Sequence, residues 1–181
     1  GGPATTSVPP LQSWPPELVK KIIAGATVLP GGHYIDGTPI SPLDPGKLRA
    51  FLGEVAGEVD AVALTAVFSP AFDEQELDAA AIVHAELGAD VPISMSHEIG
   101  TLGLLEREGA TIFNASLYQV VGDVASALHT TLAAFGLDLT TYFAQNDGTL
   151  MAVDYAARYP VLTIGSGPAN SIRGAGFLSG L

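Results

Sequence analysis

The sequence predicts an α/β fold: a mixed, largely parallel sheet whose strands are joined by crossover helices. Short apolar or β-branched runs, DAVALTAVF (60–68), VPISMS (91–96), TTYFAQ (140–145) and PVLTI (160–164), alternate with stretches of helical spacing. Apolar residues make up 48% of the 181 positions, enough to bury a real core. No internal repeat interrupts that alternation.

Each element has a local cause. Residues 1–16 carry Pro3, Pro9, Pro10, Pro15 and Pro16, which favours an irregular, extended lead-in. Pro16-Glu17-Leu18 suits the first turn of a short helix through Ile23. In ATVLPGGHYIDGTPI, the runs 26–29 and 33–35 flank Gly31-Gly32, and Asp36-Gly37 is a strong turn dipeptide. A small antiparallel unit is expected there. Asp44 then caps a helix with Pro45 at its first position, ending near Val55.

The run 60–68 is long enough for a buried parallel strand. Asp73 opens the next helix, with Glu76 at capping-box spacing and Gly88 at its end. Strand 91–96 tolerates Pro92 near its start. From Gly100 to Phe135 the apolar residues recur at three and four positions, with a break expected near Gly109. Asn146-Asp147-Gly148 turns the chain after strand 140–145; residues 149–157 and 168–179 read as helices around a strand at 160–164. As domains, this gives 1–40 as lead-in and small β unit and 41–181 as the α/β domain, with a sub-boundary near 136–140.

Charge narrows the function. Asp and Glu number 19 against 7 Lys and Arg, so the clustered cations that nucleic acid or anionic membranes require are missing. No apolar stretch approaches the roughly 20 residues that span a bilayer. With Cys 0, disulfides and thiolate chemistry are excluded, and a cytoplasmic setting is the simplest expectation. Only 14% of residues are charged, which suits a surface partly hidden against something else.

Several clusters could carry chemistry. TIGSGPANSIRGAG (163–176) has Gly165-Ser166-Gly167 but places Asn170 where a dinucleotide fingerprint needs a third glycine. It also offers Arg173-Gly174 where a phosphate loop needs Lys-Ser/Thr. A helix N-terminus after flexible backbone can still bind an anion; a tight turn that lets the last helix pack closely explains the glycines equally. Ser96-His97-Glu98 lies at the C-terminal end of a predicted parallel strand, where open sheets place ligands. Adjacent residues on extended backbone face opposite ways, so these three cannot relay protons to one another; Ser96 could instead cap the following helix. Asp147 could hold Mg²⁺ or a water, or simply serve its turn. His33, His84 and His129 show no metal-binding spacing, and the last two suit surface positions on helices. Glu106-Arg107-Glu108 reads as a solvated face.

The segments VPISMSHEIGTLGLLEREGATIFNASL and YFAQNDGTLMAVDYAARYPVLTIGSGPANSIRGAGFLSGL resemble the hydantoinase/oxoprolinase family, specifically its A subunit. GGHYIDGTPISPLD and AVALTAVFSPAFDEQEL are similar to it as well, in the expected order, so the resemblance covers nearly the whole chain. It implies an ATPase of the actin, Hsp70 and sugar-kinase superfamily with two ribonuclease-H-like lobes around a nucleotide cleft. Such enzymes use ATP and Mg²⁺ to activate cyclic amides such as hydantoins or 5-oxoproline for hydrolysis; relatives carboxylate ketones. The A subunit commonly works with a B-type subunit.

The resemblance also implies two Asp-Gly-Gly-Thr phosphate loops, and neither occurs in these residues. Together with Gly1 in place of Met, this predicts an internal fragment with an incomplete nucleotide site, binding no cofactor and nearly inactive alone. In the parent, Gly165, Ser166, Gly167 and Asn170 are expected near the nucleotide, Asp147 as an acid or Mg²⁺ contact, and His97 and Glu98 on the substrate side. The competing expectations are a self-contained α/β binding module whose apolar surface pairs with a partner, and part of a small-metabolite kinase of the same superfamily; a homo-oligomer is open to the chain in any of these.

Overall fold

The computed structural model describes residues 8–100 and 102–180; the first seven residues of the predicted lead-in lie outside these. The fold is mixed α/β, and the chain divides into two compact units, Gly1–Ser116 and Leu117–Leu181.

In the first unit, α1 (Pro16–Ile22) follows a turn in which Trp14 N donates to Leu11 O. The expected hairpin forms only around Asp36-Gly37: an isolated antiparallel bridge joins His33 and Pro39, and Gly37 takes φ 85°. Run 26–29 is not a strand. α2 (Pro45–Val55) starts as predicted, with Asp44 Oδ1 accepting from Gly46 N and Lys47 N at 3.1 Å. Strand β1 (Val62–Leu64), helix α3 (Glu74–Leu87) and strand β2 (Ile93–Met95) form a parallel β-α-β unit, with Val62 opposite Ile93 and Leu64 opposite Met95. Leu48 and Leu52 of α2 pack with Ala79 and Val83 of α3 to make the core, over Val62, Leu64 and Ile93.

β1 is shorter than the predicted 60–68 for a physical reason. Past Leu64 the backbone is claimed by side chains, Glu76 at Ala66 N and Arg107 at Ala66 O, and Phe68 turns away with φ 57°. Gly88 ends α3 with φ 108°, as expected. The predicted capping box is absent: Asp73 makes no side-chain cap bond, and Glu76 is turned inward. A four-residue helix, α4 (Ser96–Ile99), follows β2 directly, and α5 (Leu104–Ala134) then runs without a break at Gly109.

In the second unit, the rest of α5 is followed by an antiparallel hairpin, β3 (Tyr142–Ala144) and β4 (Leu150–Ala152), with Phe143 opposite Met151. The sheet is therefore not largely parallel; one pair is parallel and the other antiparallel. The predicted helix at 149–157 begins as β4, because the Asn146-Asp147-Gly148 turn folds those residues back on β3, and only then becomes α6 (Val153–Arg158). The predicted strand 160–164 is a 3-10 turn, Pro160–Thr163, since Pro160 presets φ and Thr163 Oγ1 bonds back to Pro160 O. Helix α7 (Ser166–Ser179) starts two residues before the predicted 168 and ends at Gly180 in the left-handed region. Met151, Val153, Ala156 and Tyr159 form the buried apolar set of this unit with Ala125.

Candidate functional site

The first unit holds a buried polar network at the C-terminal ends of β1 and β2. Ser94 and Ser96 alternate along the chain and share a face. Arg107, Thr111 and Asn114 recur at i, i+4 and i+7 and share a face of α5. Asn114 Nδ2 donates to Ser94 Oγ at 3.1 Å, and Arg107 Nε donates to Ser96 Oγ at 2.9 Å. Arg107 is only 2% exposed, so the reading of 106–108 as a solvated face fails at its centre. Burial lowers the affinity of its guanidinium for the proton, and the charge of Glu76 works against that loss.

Glu76, 2% exposed, is the hub of the network. Its Oε1 accepts from Ser96 Oγ at 2.5 Å and Ala66 N at 2.8 Å; its Oε2 accepts from His97 N at 3.1 Å and lies 2.7 Å from His97 Nδ1. Ser96 and His97, expected to point apart, thus reach the same carboxylate. The chain enters the helical turn of α4 at Ser96, which removes the alternation of extended backbone. Ser96 caps nothing; its hydroxyl is buried and also lies 3.0 Å from Ser69 Oγ. His97 Nε2 lies on the more accessible side, 3.9 Å from Asp73 Oδ2, and Glu98 sits half-buried in the same turn.

The second unit presents the other candidates around the start of α7. Asn146 organises it: its backbone N–H donates to Leu162 O, its Nδ2 to Val161 O, and its Oδ1 accepts from Gly165 N at 2.6 Å. No side chain caps the helix, and its first turn carries no acid. A pocket of about 300 Å³ opens beside it, with Val121, Val124, Phe143, Thr163, Ser166 and Asn170 among its lining. Space above Gly167 is open, as it is above Gly174 and Gly176, so close packing does not account for these glycines. TIGSGPANSIRGAG is therefore a short turn followed by helix, not an extended loop.

Asp147 lies in the hairpin turn and serves it: Oδ1 accepts from Thr149 Oγ1 at 2.7 Å and from Thr149 N at 2.8 Å. Those bonds hold its carboxyl below the ordinary carboxylate range, with Arg173 adding a smaller pull. His84 and His129 are exposed, the latter 3.2 Å from Asp154, whereas His33 is buried against Phe72. Among the described residues no cluster of three or more His, Asp or Glu could hold a metal, and no helix is long and apolar enough to cross a membrane.

Sequence reasoning missed Glu76 and Arg107 as site-builders. Glu76 was masked by its fit to a capping box. The polar stripe Arg107, Thr111, Asn114 on an otherwise apolar helix was the signal that could have found the network.

Residues 107–180 match the Hydantoinase/oxoprolinase family. The crystal structure of the ATP-dependent caprolactamase from Pseudomonas jessenii is similar to this chain at 28% identity and a TM-score of 0.67. The likeness covers 77% of this chain and 20% of that one, so the chain spans about a fifth of its length. No curated protein matches the chain.

Proposed function

We propose that this chain is a segment of an ATP-dependent hydrolase of cyclic amides, the A-type component of an enzyme that works with a B-type subunit. The observation that carries this reading is the likeness to the caprolactamase over most of the chain, at an identity high enough to speak for more than the fold. The chemistry is coherent. An amide is a poor electrophile, and transfer of the γ-phosphoryl group of ATP to its oxygen creates a leaving group.

The residues fit one edge of a nucleotide. The start of α7 offers helix N–H donors, Ser166 a hydroxyl and Asn170 an amide, in a pocket that Val121, Val124 and Phe143 also line. Open space over Gly167 suits close approach of a ligand. Asp147 would contact Mg²⁺ or an acid-base water through the oxygen its turn does not use. His97 and Glu98 would serve the substrate side. The cleft between two actin-type lobes, and a fragment inactive without its phosphate loops, complete the proposal.

A second reading, a partner-binding module, is favoured by the apolar residues α7 leaves exposed, with Ile172 at 73% and Phe177 at 85%. Calorimetric titration of Mg-ATP separates the two. The hydrolase reading expects little binding by this chain, and ADP release by the full-length enzyme with its B-type subunit that rises on adding caprolactam, hydantoin or 5-oxoproline. ADP release indifferent to every cyclic amide would sink it.

A further inference from the structure

We propose that Glu76 is the positioning residue of His97: it fixes the imidazole as the Nδ1–H tautomer and presents Nε2 as a proton acceptor on the side of Asp73. The inference rests on the reading of His97 as a substrate-side group only for what Nε2 would act upon.

An ionised carboxylate has about four acceptor positions and no donor. Glu76 fills four: Ala66 N, Ser96 Oγ and His97 N donate, and His97 Nδ1 is the fourth partner, its role set by the tautomer. Two are backbone N–H groups, which cannot exchange roles. Ser96 accepts from Arg107 Nε, which only donates, and its own hydrogen goes to the nearer acceptor, Glu76 Oε1 at 2.5 Å, rather than to Ser69 Oγ at 3.0 Å. A proton shared between a carboxylate and an imidazole rests on the imidazole, the stronger base of the two. Nδ1, 2.7 Å from that anion, therefore carries a hydrogen.

The geometry also fixes the ring. His97 grips Oε2 twice, through its backbone N and through Nδ1, which leaves little torsional freedom. Nε2 then faces the opposite way, 3.9 Å from Asp73 Oδ2 and beyond hydrogen-bond distance. In a neutral ring its lone pair is the free one. Such a pair takes one proton from a water as the water oxygen bonds to a carbonyl carbon. The imidazolium then returns that proton to the amide nitrogen as the ring C–N bond breaks.

Long-range proton–nitrogen correlation spectra of the 15N-labelled chain resolve its four imidazoles, and His97→Gln assigns one of them. At about pH 8.5 the His97 ring is expected in the Nδ1–H form. In Glu76→Gln the neutral amide no longer holds the proton at Nδ1, and the Nε2–H form becomes populated; Asp73→Asn leaves the wild-type pattern. A wild-type ring in the Nε2–H form, or a Glu76→Gln ring still Nδ1–H, overturns the assignment. If Glu76→Gln does not fold, the wild-type tautomer alone decides. In the full-length enzyme, Glu76→Gln lowers kcat by about 100-fold or more with KM little changed; an unchanged kcat removes the proton-acceptor role. The spectra contain no nucleotide or amide, so failure of the hydrolase reading and failure of this one are distinct results.

Discussion

Arg107 and Glu76 share one hydroxyl: Ser96 Oγ accepts from Arg107 Nε at 2.9 Å and donates to Glu76 Oε1 at 2.5 Å. Two buried, opposite charges thus meet at the C-terminal end of β2, each with further bonds to Ala66 at the end of β1. The network ties both strand ends and α3 to the first turn of α5. Removing one charge leaves the other buried without its counterpart. Arg107→Met is therefore expected to destabilise the chain by about 3–5 kcal/mol. Urea unfolding followed by far-UV circular dichroism measures it, and a loss below about 1 kcal/mol would show that the pair is replaceable.

Ser96→Ala removes the shared hydroxyl while keeping both charges. Arg107 Nε loses its acceptor and Glu76 one of its four donors, so a cost of about 1–3 kcal/mol is expected. Ser69→Ala, which removes only the neighbour of Ser96, should cost less. Equal losses for the two variants in the same unfolding assay would contradict the bridging role.

The sequence revealed the local rules and hid the tertiary ones. Asp44-Pro45, Asp36-Gly37, Gly88 and the long helical spacing of 104–134 produced the structures they predict, because caps, turns and periodicity act over a few residues. Leu150–Ala152 and Pro160–Thr163 did not, because a hairpin partner decides the first and a proline the second. The same division applies to the site. Ser96 and His97 were legible as a strand-end pair, whereas Glu76 and Arg107 gain their roles from partners 20 and 11 residues away.

Asn146→Ala should free the start of α7. It removes the acceptor of Gly165 N and the donor to Val161 O, both on the exposed side of the second unit. The expected cost is about 1 kcal/mol. Hydrogen exchange gives the sharper readout: the Gly165 amide should lose protection while amides of β1 and β2 keep theirs. Unchanged protection at Gly165 would assign its order to something other than Asn146.

Asp147 and Asp36 share a device, a carboxylate accepting from the threonine two residues on. For Asp147 the Thr149 hydroxyl contributes most and the Thr149 N–H next; for Asp36 the Thr38 N–H leads, followed by its hydroxyl. Both folded-state values are depressed. Their contribution to stability is therefore complete above the unfolded carboxylate value of about 3.9 and fades as pH falls through the folded values. Thr149→Val should raise the Asp147 midpoint in a carbon-detected NMR titration and leave that of Asp36 unchanged. A midpoint that stays put would mean the hydroxyl is not the main cause.

The α7 pocket provides the test closest to function. If nucleotide lies against Ser166 and Asn170, deleting the Asn170 amide costs about one hydrogen bond to the ligand, roughly 0.5–1.5 kcal/mol, or about 2- to 10-fold in affinity. Asn170 is exposed on a helix with no buried residue, so Asn170→Ala should leave folding intact. Asp147→Ala should act differently. A residue that contacts Mg²⁺ or the reacting water would lower kcat more than it raises the KM for ATP. Both variants belong in the full-length enzyme, with ADP release followed at saturating cyclic amide. Wild-type kinetics for both would remove the start of α7 and the Asn146-Asp147-Gly148 turn from the nucleotide site. A KM effect for Asn170 beside a kcat effect for Asp147 would assign the pocket to binding and the turn to chemistry.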